Sequence, residues 1–106
     1  MKNFFDVVSY AQIESFVAQH GSPLVVTSEA IIRERCQVLR STFPSSHLNY
    51  AVKANYNPWL LKIVADEGFG VDAVSPNEVA LALKVGVPAE QIYYIENNMT
   101  DDDMHE

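Results

Sequence analysis

The sequence predicts an α/β fold built on a parallel sheet, and three observations carry that reading. Strand-like apolar runs recur at 48–54, 70–75 and 91–97. Helix-start signals, Asn57-Pro58 and Ser75-Pro76, follow the first two runs directly. Successive strands begin about 20 residues apart, near the minimum for a strand, a crossover helix and a second parallel strand. Strand, helix, strand, helix, strand is the signature of parallel β/α units.

The elements follow in order. Ser9 to His20 reads as an amphipathic helix: Ser9 and Gln12 have capping-box spacing, Ile13, Phe16 and Val17 share a face, and Gly21 is the stop. "SPLVV" at 22–26 is a short β-branched strand. A second helix starts near Thr27 or Ser28, carries the stripe Ile32, Cys36, Leu39 and Phe43, and ends at Pro44. "LNYAVKA" is the first strand of the repeating pattern. A helix capped by Asn57 runs through "WLLKIVADEG" to Gly68. After "GVDAVS", Ser75-Pro76-Asn77-Glu78 forms a capping box with proline at N1. The inner face of that helix is Val79, Ala82, Leu83 and Gly86. "QIYYIEN" at 91–97 is the last strand, and Thr100 caps a further helix whose first turn holds Asp101, Asp102 and Asp103.

Composition narrows the function classes. The chain has 106 residues, a formal charge of -7 and 48% hydrophobic residues, which fits at most one soluble domain. An acidic balance argues against nucleic acid and anionic membrane surfaces as partners. No apolar run approaches the roughly 20 residues of a membrane span. "MKNFFDVVSYAQIE" has too short an apolar run for a signal peptide. Cys36 is the single cysteine, so an intrachain disulfide is excluded, and the expected compartment is a reducing cytoplasm. Cys36 stands at helical spacing from Ile32 and Leu39 and reads as core. No histidine or cysteine pair has metal-ligand spacing. The run at 101–103 lacks the glycine and glutamate of a calcium loop, so no metal is expected. Three strands do not close a barrel, which takes roughly 250 residues. The expectation is a piece of something longer, whose third strand is left as an edge.

Function turns on Lys53. Side chains alternate along a strand, so Asn49, Ala51 and Lys53 share one face and Leu48, Tyr50 and Val52 the other. Catalytic groups in β/α barrels sit at the C-terminal ends of strands, where Lys53 stands. Ala51, one step deeper, leaves room for something bulky. A lysine held against an apolar wall is a candidate nucleophile; the competing reading is a surface lysine that closes a strand. Asp72 is a carboxylate in a mostly apolar strand and needs a partner. That partner is either a functional group or a structural donor.

"YAVKAN" at 50–55, the D-x-x-S-x-x-E pattern from Asp72 to Glu78, and A-L-x-x-G-V-P from Ala82 to Pro88 occur together. This combination closely resembles the pyridoxal-phosphate lysine region of the fold-type III decarboxylases, which act on diaminopimelate, ornithine or arginine. The resemblance runs from about Ser22 to Asp102, and "VDAVSPNE" is most similar to the diaminopimelate branch. It implies a partial (β/α)8 TIM-type barrel: the first three strands and their helices, preceded by N-terminal helices and a short strand. Residues 1–21 would form a helical extension and 22–106 the start of the cofactor-binding barrel. It further implies pyridoxal 5'-phosphate as cofactor and Lys53 as its Schiff-base lysine, with Asp72 and Ala51 in the cofactor pocket. Asn55 would shape the turn, Ser75 would be the helix cap, and Glu78 would be first a capping residue. The implied substrate is a small amino acid, in lysine biosynthesis for the diaminopimelate branch, and the implied full-length form is a homodimer. The phosphate loop and the acidic partner of the pyridine nitrogen are absent from these 106 residues, so the chain alone is expected to be inactive. The other readings are an ornithine- or arginine-type enzyme of polyamine synthesis and a non-catalytic relative that docks on a partner.

Overall fold

The computed structural model describes residues 2–96 and 99–105. The chain runs α1 (Phe4–Val7), α2 (Tyr10–His20), α3 (Glu29–Thr42), β1 (Asn49–Ala51), α4 (Pro58–Asp66), β2 (Gly70–Ala73), α5 (Pro76–Val85), β3 (Ile92–Tyr94) and α6 (Asp101–His105). Short 3-10 turns occupy Val52–Ala54 and Ala89–Gln91. The three strands form one sheet in the order β1-β2-β3, and both pairs are parallel. Crossover helices α4 and α5 make each connection, as the alternating pattern predicts.

Helix starts follow the local chemistry. Ser9 caps α2 with a reciprocal Gln12 contact, and Gly21 ends it at φ 83°. Ser28 caps α3, Asn57 caps α4 with Pro58 behind it, and Ser75 caps α5 with Pro76 behind it. Gly86 closes α5 in the left-handed conformation, at φ 99°, where a side chain would be strained. Thr100 and Asp103 cap α6 reciprocally. One further helix, α1, is set by Asn3 and Asp6, a short capping box that the sequence reading passed over.

Strands depart from expectation. Residues 22–26 form no strand, and Val25 is 88% exposed. Their backbone has no neighbouring strand to bond, and β-branched composition alone cannot supply one. The first strand stops at Ala51, and Val52–Ala54 coil into the 3-10 turn. Single ladder bonds extend the pairing at each end, from Gly70 N–H to the Leu48 carbonyl and from Ile95 N–H to the Ala73 carbonyl, both 2.9 Å. Of the run 91–97, Ile92–Tyr94 is strand, and Asn97 lies outside the described residues.

The sheet has two unlike faces. Register pairs Tyr50 with Val71 and Ile92, and Ala73 with Tyr94, on the face under the helices. Val52, Leu61, Val71, Ala82 and Val87 form the main core there. A second cluster, Cys36, Val64 and Phe69, joins α3 to α4, and Tyr50 packs against both clusters. Ala82 faces inward as expected, but Leu83 is 50% exposed, and Leu81 and Val85 pack against the core in its place. In α3, Cys36 is buried while Leu39 and Phe43 are exposed, so only the first half of the stripe is covered.

Candidate functional site

The end of β1 is a braced turn. Val52 is fully buried and plugs the turn into the core, while the neighbouring Lys53 is exposed. Asn55 N–H donates to the Val52 carbonyl at 3.1 Å, closing the 3-10 turn around Lys53. The Tyr50 phenol donates to the Asn55 carbonyl at 3.1 Å. Asn55 Oδ1 accepts from Asn57 N–H at 3.0 Å, and Asn57 Oδ1 accepts from Trp59 N–H at 3.0 Å, where α4 begins. Lys53 thus stands at the C-terminal end of the sheet, in a turn rather than in the strand. Among the described residues it forms no ion pair.

The face away from the helices carries Asn49, Ala51, Asp72 and Tyr93. Ala51 is in register with Asp72, and Asp72 with Tyr93. The Asp72 carboxylate accepts from Asn49 Nδ2 at 3.1 Å. The need for a partner is met by an amide two residues below Ala51. The structure puts Ala51 and Asp72 side by side, and Lys53 just beyond them in chain order. Sequence reasoning placed Asn49 on the correct face without seeing that it bonds Asp72. Period-two alternation holds that signal once the strand register is known.

Gly70 makes this contact possible. A Cβ there would lie 2.5 Å from Asn49 Oδ1 and 2.7 Å from the Gln91 carbonyl oxygen. The β2–α5 turn is fixed from the other side. Ser75 Oγ accepts from Glu78 N–H at 3.2 Å, and Glu78 Oε2 accepts from Val74 N–H at 2.7 Å. Glu78 therefore bonds one residue before the cap, a variant of the expected capping box. It holds the backbone immediately after the Asp72 strand.

A cavity of about 180 Å³, lined by Arg40, His47, Asn49, Gln91 and Tyr93 among others, opens at the opposite, N-terminal end of the strands. In β/α barrels that end serves stability, and the chemistry belongs at the end where Lys53 stands. Burial, helped by the Glu67 carboxylate, pushes the Cys36 thiol up, which fits a packing role. Among the described residues there is no cluster of three metal-ligating side chains, and no helix is long and apolar enough to cross a membrane.

Comparison with known proteins converges on one group. The sequence profile of the pyridoxal-dependent decarboxylases, for their pyridoxal binding domain, matches residues 29–106. A diaminopimelate decarboxylase of Aquifex aeolicus is 47% identical over 74 residues, covering 70% of this chain and 18% of its own length. A solved protein of the same organism superposes with a TM-score of 0.83 at 39% identity, over 87% of this chain and 23% of that one. A lysine/ornithine decarboxylase of Vibrio vulnificus, solved with putrescine, gives 0.84 at 29% identity over 93% of this chain and 28% of that one. The chain thus spans between 18% and 28% of the length of these relatives.

Proposed function

The chain belongs to the pyridoxal-dependent decarboxylases, within their pyridoxal binding domain, and from that membership we propose that it is the lysine-bearing part of an amino-acid decarboxylase, with Lys53 as the covalent anchor of pyridoxal 5'-phosphate. The observation that carries the proposal is the position of Lys53: exposed, free of any ion pair among the described residues, and at the C-terminal end of a parallel strand. Residues 22–106, which include the family match at 29–106, are read as the start of the barrel and 1–21 as a helical extension.

The side chains present suit the cofactor. Its aldehyde needs a primary amine, which Lys53 offers. Its ring needs a small neighbour, and Ala51 is a half-buried alanine on the open face of the sheet. When bound, pyridoxal phosphate supplies the electron sink for the pair left behind as carbon dioxide departs. The protein side of the chemistry falls to the residues around it. Lys53 Nζ would hold the cofactor, and its amine would be the group available to move a proton. Asp72 places a negative charge beside Ala51, and Asn49 holds that carboxylate in one orientation.

Diaminopimelate is the proposed substrate, in a cytoplasmic homodimer that makes lysine. Sequence relatives bearing that name, at 29–47% identity, support this choice. The test is carbon dioxide release by the full protein from meso-diaminopimelate, lysine, ornithine and arginine. Turnover of diaminopimelate above the others is expected, and Lys53→Ala is expected to lower it by at least about 100-fold, the lower range for a positioned acid–base group. Preference for ornithine or arginine would move the protein to polyamine synthesis. Residues 1–106 alone are expected to show no turnover with added cofactor, since no glycine-rich phosphate loop lies within them.

A further inference from the structure

We propose that the Tyr50 hydroxyl and the Asn55 amide together clamp the turn that carries Lys53, and so act as positioning residues for the lysine. The proposal rests on reading Lys53 as the cofactor's anchor. Its basis is the way the turn is held. Residues 53–59 are all exposed, and Val52 is the buried residue of the 3-10 turn. One backbone bond, Asn55 N–H to the Val52 carbonyl, closes the turn. Two side-chain contacts then fix it at opposite ends. From the strand side, the Tyr50 hydroxyl donates to the Asn55 carbonyl at 3.1 Å. From the helix side, Asn57 N–H donates to Asn55 Oδ1 at 3.0 Å.

Tyr50 is well suited to transmit rigidity. Tyr50 packs against both hydrophobic clusters, so its hydroxyl is carried on a side chain that the core holds. Burial pushes the phenol above its ordinary value, and it remains a protonated donor at neutral pH. Packing alone would be met by phenylalanine; the hydroxyl adds the bond to the turn. A lysine side chain has a flexible four-carbon stem, so the backbone of this turn sets where its amine is delivered.

The test follows trapping of the cofactor on the lysine. Cofactor-free full protein is mixed with pyridoxal phosphate, the linkage is reduced with borohydride at timed intervals, and labelled lysines are mapped by mass. Tyr50→Phe keeps the ring and removes the donor. It is expected to slow labelling of Lys53 about fivefold, the weight of one net hydrogen bond. Lys62 and Lys84 should label at unchanged rates. Asn55→Ala should slow Lys53 similarly, and Asn55→Asp, which keeps the acceptor, should restore it. Those two variants decide the matter if Tyr50→Phe does not fold. Unmutated labelling rates at Lys53 in both Tyr50→Phe and Asn55→Ala would overturn the clamp while leaving the anchor intact. A parent protein that never labels at Lys53 would overturn the anchor reading, and the clamp with it. Equal changes at all three lysines would show a general loss of structure and overturn the positioning role.

Discussion

At Gly70 a missing side chain lets two polar groups share the sheet face. Asn49 turns its amide across that position and donates to Asp72, leaving its oxygen where a Cβ would stand. Gly70→Ala would force either the Asn49 side chain or the Gln91 backbone to move, because both lie within 2.7 Å of the added carbon. The backbone contact cannot be relieved by a rotamer change, so a loss of about 1–3 kcal/mol is expected in denaturant unfolding. A second residue-scale prediction concerns Ala51, which lies in register with Asp72 on the open face. Ala51→Leu should leave the circular dichroism spectrum intact, since this face is not the helix-covered core. It should lower cofactor retention at least about tenfold if the ring needs that space. Unchanged retention in a dialysis assay would remove Ala51 from the pocket.

Between residues and whole elements, local signals were readable at every helix start but the short Asn3–Asp6 box of α1, and partner-dependent ones were not. Caps at Ser9, Ser28, Asn57, Ser75 and Thr100 act within a few residues, so these five helix starts follow from their own sequence. A strand's length depends on its neighbour. The end of β1 at Ala51 and the missing strand at 22–26 therefore have no local signature. The site divides in the same way. Lys53 is a candidate on its motif alone, whereas the Asn49–Asp72 and Tyr50–Asn55 contacts depend on register and on the turn. Ser75→Ala offers a direct check on cap strength: it removes the acceptor for Glu78 N–H and should cost about 1 kcal/mol in chemical denaturation. The α3–α4 contact adds a pH prediction. Lys62, through its hydrogen bond, and Arg33, through its charge, hold the Asp66 carboxyl below the usual aspartate value. A depressed folded value contributes stability above the unfolded value, and that contribution disappears as pH falls through the folded one. An NMR titration should place the Asp66 midpoint below that of free aspartate, and Lys62→Met should move it upward.

Over the whole molecule, shape and exposed surface lead to the same expectation. The radius of gyration is 16.5 Å, against about 13 Å for a compact chain of this length. Helix α2 has no buried residue, so the N-terminal part contributes little to the core. The sheet is covered on one face and open on the other, where Tyr93 is 45% exposed. β3 pairs with β2 alone among the described strands, and its outer edge is followed by Ile95, 58% exposed. An open face with an exposed tyrosine, beside a strand edge that no other described strand covers, favours strand-to-strand association. The formal charge of -7 opposes it through repulsion, which salt screens. Residues 1–106 prepared alone should therefore associate with rising concentration, and more strongly at high ionic strength. Sedimentation velocity at low and high salt measures both dependences. Tyr93→Lys places a cation at the face without removing a core contact, and it should return the chain to a monomer at concentrations where the parent associates. If the parent stays monomeric under both salt conditions, the sheet edge is not adhesive. If Tyr93→Lys associates as readily as the parent, the contact lies elsewhere, and the exposed apolar residues of α2 become the surface to substitute next.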